Sequence, residues 1–504
     1  MRISNQSLGL IHFVGIGGIG MSGIAEILHS LGYGVRGSDL SDNANVKRLR
    51  SLGIPVVIGQ KSENVEGASV VVVSSAIKAT NEELKRARSL KIPVVKRAEM
   101  LAEIMHLSPC IAVAGTHGKT TTTSIGACVL DAGGLHPTVV SGGIINAYGT
   151  NARLGTGAWT IVEADESDGT FSKLPATIAI VTNIDPEHME HYGSYDVLKN
   201  AFRTYLENIP FYGLAILCAD HKATFDIAKG ITDRRVLTYG IANENSDIRA
   251  INLKSTPEGT TFDLKLSDHA HKTLKQKVEL LKKTDLFLPM VGEHNVSNAL
   301  SIVVCALELG VDLSLIREGL SEFSGVRRRF TRVGEAKGMA FVDDYAHHPT
   351  EIKATLESAK QMCSQKVVAV VQPHRYSRLA DLFEEFTQCF DQADHIVLTP
   401  VYAAGEQPDI LATHHSLAKA LKEKGKSVYT VNAKDELPTL LTEIGSPHDM
   451  CVFMGAGDIT AWCSSVVTKL NGTLVEQNLC PKKEQQKKST QPQIQNKTGK
   501  LRDE

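Results

Sequence analysis

Short apolar runs alternate with helical patterns from one end of this 504-residue chain to the other. Leu10 to Val14, Val70 to Val73, Cys110 to Ala114, Ile178 to Val181, Val367 to Val371 and Met450 to Met454 are apolar almost without interruption. Glycine or polar turns bound them, as expected of parallel strands buried on both faces. Strands that alternate with helices predict an α/β architecture throughout. At roughly 100–200 residues per domain the length predicts about three domains. Boundaries are expected near residues 108 and 326, giving domains 1–108, 109–325 and 326–475. Asp247 to Leu286 reads differently. TTFDLKL and VELLKK alternate as antiparallel strands do, an excursion inside the second domain. The Lys/Gln-rich end, 476–504, has almost no large apolar residues to offset its ordering entropy and is expected to be a disordered tail.

Composition removes several function classes. Lys and Arg total 54 against 56 Asp and Glu, so no net field recruits nucleic acid or an anionic membrane. No run reaches the about 18 apolar residues of a membrane span, and none is expected. The nine cysteines contain no C-x-x-C pair, so neither a zinc knuckle nor a redox motif is visible. Buried free thiols and a cytoplasmic location are the expectation.

Two strand-to-helix junctions carry the chemistry. At the second, Cys110–Ala114 leads into Gly115-Thr116-His117-Gly118-Lys119-Thr120-Thr121 and then a helical pattern. Glycines let backbone N–H groups turn toward an anion, and the helix N-terminus adds partial positive charge. Lys119 can reach β- and γ-phosphates, and the Thr120 hydroxyl can ligate Mg²⁺. The loop is shorter than G-x-x-x-x-G-K-[ST]. Downstream, Glu163-Ala-Asp-Glu-Ser-Asp168 and Asp185-Pro-Glu-His188 follow apolar runs, which suits divalent-metal binding beside phosphate. The loop is expected to face the surface, so that Lys119 can be replaced without loss of the fold.

At the first junction, Gly15-Ile-Gly17-Gly18-Ile-Gly20 follows a strand, and Asp39 ends the next strand about 20 residues later. This fingerprint accepts a dinucleotide or, through the same dipoles, the diphosphate of a UDP-sugar. A nicotinamide-dependent oxidoreductase therefore stays open at this point. Farther on, His374, Arg375 and Arg378 follow the strand Val367 to Val371. Two guanidiniums three residues apart share a face on a helix's first turn and can grip a carboxylate.

The chain resembles the Mur ligases over roughly residues 8–470. The motifs stand in order: GIGGIGMSGIA, SSAI, AVAGTHGKTTTT, EADESD, TNIDPEHM, GEHNVSNAL, GVRRRF, DDYAHHPTEI, QPHRYSR and GAGDI. The resemblance implies a Rossmann-like UDP-substrate domain, a central P-loop ATPase-like domain and a C-terminal Rossmann-like α/β domain that takes the amino acid. It implies ATP-dependent ligation of L-alanine to the lactyl carboxylate of UDP-N-acetylmuramate through an acyl phosphate, with two Mg²⁺ ions. A ligase joining a whole murein peptide to the same UDP-sugar is the near alternative. EADESD instead of EADEYD, and the HRYSR segment, favour alanine.

By the same resemblance Lys119 and Thr120 hold phosphate and the first Mg²⁺, Glu163 completes that metal site and His188 ligates the second ion. Asn295 recognises adenine, Arg329 reaches phosphate, and Asp344 contacts the nucleotide near His347 and His348. Gly15, Gly17, Gly18, Gly20 and Asp39 serve the UDP-sugar, and His374, Arg375 and Arg378 the amino acid. No lysine aligns with the modifiable lysine of sister ligases, and Ala346 stands where a glycine is usual. The oligomeric state is left open, a homodimer included.

Overall fold

The computed structural model describes residues 9–74, 76–167, 169–274 and 284–472. The VELLKK stretch, the tail, Cys480 and Asp168 of EADESD lie outside the described residues. The six apolar runs are strands with the bounds read from sequence: Leu10–Val14, Val70–Val73, Cys110–Ala114, Ile178–Val181, Val367–Val371 and Met450–Met454. Cys110–Ala114, Ile178–Val181, Val367–Val371 and Met450–Met454 are buried at every residue. Each large aliphatic side chain there contributes roughly 1.5–3 kcal/mol by leaving water.

Three sheets organise the described residues, and the fold is α/β. The first has five parallel strands in the order Val56–Ile58, Gly34–Asp39, Leu10–Val14, Val70–Val73, Val94–Lys96. Strand order reverses beside Leu10–Val14, so the glycine loop after that strand opens at the switch point where α/β sheets bind ligands. The second sheet has ten strands, with Cys110–Ala114 between Thr160–Glu163 and Ile178–Val181, all parallel. The loops after these three carry the phosphate-loop residues, Glu163 with its acidic neighbours, and Asp185 to His188, so neighbouring strands deliver them to one rim. At its far edge Ile248–Thr256, Gly259–Leu266 and Leu286–Leu288 pair antiparallel, the excursion expected from alternation. The third sheet has six strands. Its centre, Met339–Asp344, Met450–Met454 and Val367–Val371, is parallel, and Thr331–Ala336 closes one edge antiparallel.

The eight described cysteines are free, six of them buried. No described helix is long and apolar enough to cross a membrane.

Candidate active site

The phosphate loop is held from below by Thr182-Asn183, at the end of the adjacent strand. His117 N donates to Asn183 Oδ1 (2.7 Å), Thr182 Oγ1 donates to His117 O (2.6 Å), and Thr116 N donates to Asn183 O (3.1 Å). Gly115 has φ +130°, and a Cβ there would lie 2.1 Å from Thr182 Oγ1. Gly118, at φ +82°, caps the Lys119–Ala132 helix, and a Cβ there would lie 2.5 Å from Asn298 Oδ1. Both glycines are thus required by close approach as well as by backbone conformation. The shortened loop is compensated by the TNID segment packed behind it.

Lys119 is mostly buried, contrary to the expectation of a surface-facing site. Its Nζ donates to Gly115 O (2.6 Å), Thr116 O (3.0 Å) and Glu166 Oε1 (3.0 Å), with Glu166 Oε2 at 2.8 Å. Burial lowers the ammonium's pKa, but Glu166, Asp165 and Glu163 outweigh it and keep the group cationic. Burial pushes the Glu166 carboxyl up to about 7 against the pull of Lys119. The EADESD pattern points to a metal-binding cluster. It does not reveal Glu166 as the partner of the loop lysine, because only the tertiary fold aims it there.

Glu163 Oε1 accepts from Thr120 Oγ1 (3.1 Å), and its Oε2 accepts from Gly142 N (2.7 Å). A Cβ on Gly142 would lie 2.6 Å from that carboxylate. The third metal candidate, His188, has φ +57° and caps the short Met189–Tyr192 helix. Its Nε2 lies 3.3 Å from Glu187 and 3.8 Å from Glu166. Burial lowers its pKa, leaving a neutral imidazole with a lone pair to donate. Among the described residues no three His, Cys, Asp or Glu converge into a self-sufficient cage. One carboxylate and one hydroxyl are the sparse donor set suited to a Mg²⁺ bound largely through phosphate oxygens and water.

A cavity of about 780 Å³ joins these groups to the other two sheets. Its walls include Gly18 and Gly20 of the glycine loop, Thr116 to Thr120, Glu163, His188, Arg329, and Arg378 of the third sheet. A second cavity of about 380 Å³ holds Asn295, and Arg329 lines both. The Arg329 guanidinium stands 5.3 Å from the Tyr345 ring centre. Thr121 is buried in the helix behind the loop.

Several named residues stand back from the main cavity. Asp39 accepts from Gly17 N (2.8 Å) and Ser41 N (3.1 Å), so its carboxylate closes the glycine loop. A Cβ on Gly17 would meet Asp39 Oδ2 at 2.9 Å, while Gly15 turns the loop at φ +76°. Arg97 lines the cavity beside Gly20 and pairs with Asp165 (2.9 Å) across the first two sheets. Asp344 is buried, accepting from Phe330 N (2.7 Å) and Ala346 N (2.8 Å). It thereby anchors the turn that carries Arg329. Asn295 Nδ2 donates to Val291 O (2.8 Å).

The two arginines after Val367–Val371 do not share a helical face. Arg375 is the N-cap of the Tyr376–Asp381 helix, at φ +71°, and only Arg378 lies in that helix. Arg375 pairs with Glu406 (2.6 Å) and Glu190 (3.0 Å), and Arg378 with Glu187 (3.1 Å). Burial would raise Glu187, yet the Arg378 guanidinium beside it holds its carboxyl at about 2. His374 stacks on Tyr402 at 5.5 Å. Burial, with cationic neighbours, lowers the His374 pKa to about 3.

Comparison with known proteins places the geometry in a family. The model for the Mur ligase family, catalytic domain, matches residues 10–108, the Mur ligase middle domain 113–306, and the Mur ligase, glutamate ligase domain 328–457. The chain is 54% identical over 471 residues to the UDP-N-acetylmuramate–L-alanine ligase of Rhodospirillum rubrum, covering 93% of this chain and 96% of that one. The crystal structure of UDP-N-acetylmuramate-alanine ligase from Thermotoga maritima superposes with a TM-score of 0.76 at 30% identity, covering 92% of this chain and 99% of that one. A murein peptide ligase from Psychrobacter arcticus shares the fold, with a TM-score of 0.66 at 22% identity, covering 92% and 98%.

Proposed function

This chain belongs to the Mur ligase family, and on that premise we propose that it joins L-alanine to the lactyl carboxylate of UDP-N-acetylmuramate using ATP. The observation that carries the reading is the shared cavity, in which the phosphate loop, two acidic segments, the glycine loop, Arg329 and Arg378 converge from three sheets. Domains 1–108, 109–325 and 326–475 then supply the UDP-sugar, ATP and amino-acid sites. The compartment that fits this reading is the cytoplasm.

A free carboxylate resists attack because it is anionic and would have to expel oxide. Its oxygen first attacks the γ-phosphorus of ATP, breaking the bond to ADP and forming an acyl phosphate. The alanine amine, having lost its proton, then attacks the acyl carbon. The tetrahedral intermediate expels phosphate and leaves the amide. Little covalent chemistry falls to the protein, so positioning and charge neutralisation dominate.

Backbone N–H groups of Gly118 to Thr120, at the start of the helix, and the Lys119 ammonium face the phosphates. Arg329, between the two cavities, meets charge developing on the transferred group, while Asn295 lines the recess for adenine. Gly18 and Gly20 let the backbone approach the UDP diphosphate. Thr120 and Glu163 would hold one Mg²⁺ and His188 a second; bound there, the ions supply charge neutralisation for the phosphoryl group. Arg378 faces the amino-acid carboxylate, with His374 and Arg375 behind it.

Coupled ADP release, measured with UDP-N-acetylmuramate and a panel of L-alanine, L-serine, glycine and an alanyl peptide, tests the reading. ADP release that needs both the UDP-sugar and L-alanine is expected. ADP release independent of either, or selective for the peptide, would overturn it.

A further inference from the structure

Glu351 stands at the third position of the Pro349–Met362 helix, whose N-cap is His348. A capping-box glutamate needs only its own helix, and Glu351 Oε2 fills that role by accepting from His347 N (3.1 Å) and His348 N (3.3 Å). Its other oxygen leaves the domain. Oε1 accepts from His117 Nδ1 (3.2 Å), in the middle of the phosphate loop and 234 residues away. The opposite ring nitrogen, His117 Nε2, lies 3.3 Å from Asp185 Oδ2, and Asp185 also pairs with His221 (3.1 Å). The rings of His117 and His348 pack at 4.8 Å. Glu351 and His117 are 14% and 12% exposed, so water competes little for the contact.

The loop's grip on phosphate requires its backbone amides and Lys119, not the His117 ring. The ring instead reaches across the sheet boundary to the one helix that carries His347 and His348 at its start. We infer that His117 and Glu351 are a cross-domain positioning pair, which sets the third domain in register with the phosphate loop so that the amino acid meets the acyl phosphate in line. The burial that would neutralise the imidazole is outweighed by Asp185 and Glu351, which raise its pKa to about 9 and keep the pair ionic at neutral pH. The catalytic consequence rests on the ligase reading; the structural register does not.

The test is a double-mutant cycle on the full chain with E351Q and H117Q. E351Q keeps an amide oxygen for the two helix-start N–H groups and removes only the charge facing His117. Each single variant is expected to lower kcat roughly tenfold, with the KM for ATP within about twofold, and the double variant to be no worse than either single. Wild-type kcat in E351Q, multiplying losses in the double variant, or a KM for ATP rising in step with the loss of kcat would overturn the pairing. Hydrogen exchange decides without activity. E351Q must speed exchange at 115–118 as well as at 346–351, whereas loosening of 346–351 alone would reduce Glu351 to a cap. If E351Q folds poorly, H117Q asks the same question from the loop, since faster exchange at 346–351 supports the pair and unchanged exchange there refutes it. If the wild-type chain fails to ligate alanine, the function falls while exchange still judges the pair.

Discussion

Arg378 Nε donates to Glu187 Oε1 at 3.1 Å, tying the Tyr376–Asp381 helix of the third sheet to the segment that follows Ile178–Val181 in the second. The guanidinium proposed for the substrate carboxylate is thus held by a protein carboxylate. L-Alanine must displace or share that contact. Arg378→Lys removes the planar fork and is expected to raise the KM for L-alanine by roughly tenfold, with much smaller effects on ATP and UDP-sugar. Glu187→Gln weakens the internal competitor and should shift the same KM downward. Steady-state kinetics decides, and equal effects of Arg378→Lys on all three substrates would remove the arginine from amino-acid recognition.

Lys119 and Glu166 make a second pair whose removal is asymmetric. Lys119→Ala takes an ammonium from the phosphates, on the order of 3 kcal/mol or more of transition-state stabilisation. It also strands Glu166, 2% exposed, without its cation. That costs stability, about 3–5 kcal/mol. Adding Glu166→Gln should recover most of the lost Tm and none of the lost turnover. Thermal melts and ADP release measured on the same samples separate the two effects. A Lys119→Ala protein that melts like wild type would mean the pair contributes nothing to the fold.

Thr120 and Glu163 lie within hydrogen-bond distance of each other, where a small divalent ion could be shared. Glu163→Gln keeps an oxygen for Gly142 N and loses the charge. The Mg²⁺ concentration for half-maximal turnover is expected to rise roughly tenfold, and chelation should abolish turnover in wild type and variant alike. His188→Ala, which removes a different proposed ligand, should also shift the titration. Unchanged Mg²⁺ curves for both variants would leave these groups without a metal role.

What could be read from sequence was local. A buried parallel strand is a continuous apolar run ended by glycine or a polar turn, so six strands appeared with their bounds, and the phosphate loop followed because strand, glycines and helix are contiguous. The half-exposed Val94–Lys96 strand lacks such a run. Nor did the sequence indicate what the acids at strand ends would face. Glu166 finds Lys119, Glu187 finds Arg378, and Glu351 finds His117 only after neighbouring strands or separate sheets are assembled. Arg375 illustrates the other limit. A three-residue spacing implies a shared face only inside a helix, and the helix begins one residue later, past a left-handed cap. Asp39 ends its strand where the fingerprint puts it, but its carboxylate turns onto Gly17.

His117 gives the chain a titratable link between its second and third sheets, with a sign that can be worked out. Burial alone would lower its pKa, but Asp185 and Glu351 raise it to about 9 from the ordinary 6.5. A histidine whose folded pKa is raised contributes stability fully below the unfolded value and loses it as pH climbs through the folded one. The window therefore runs from about pH 6.5 to 9, and the contribution within it is on the order of 3 kcal/mol. Wild-type Tm should fall more steeply across this window than that of His117→Gln, the two curves converging above it. Buried thiols also destabilise the native state in alkali, but they are common to both proteins and cancel in the difference. Parallel Tm curves from pH 6 to 10 would show that the imidazole is not held as a cation between the two carboxylates.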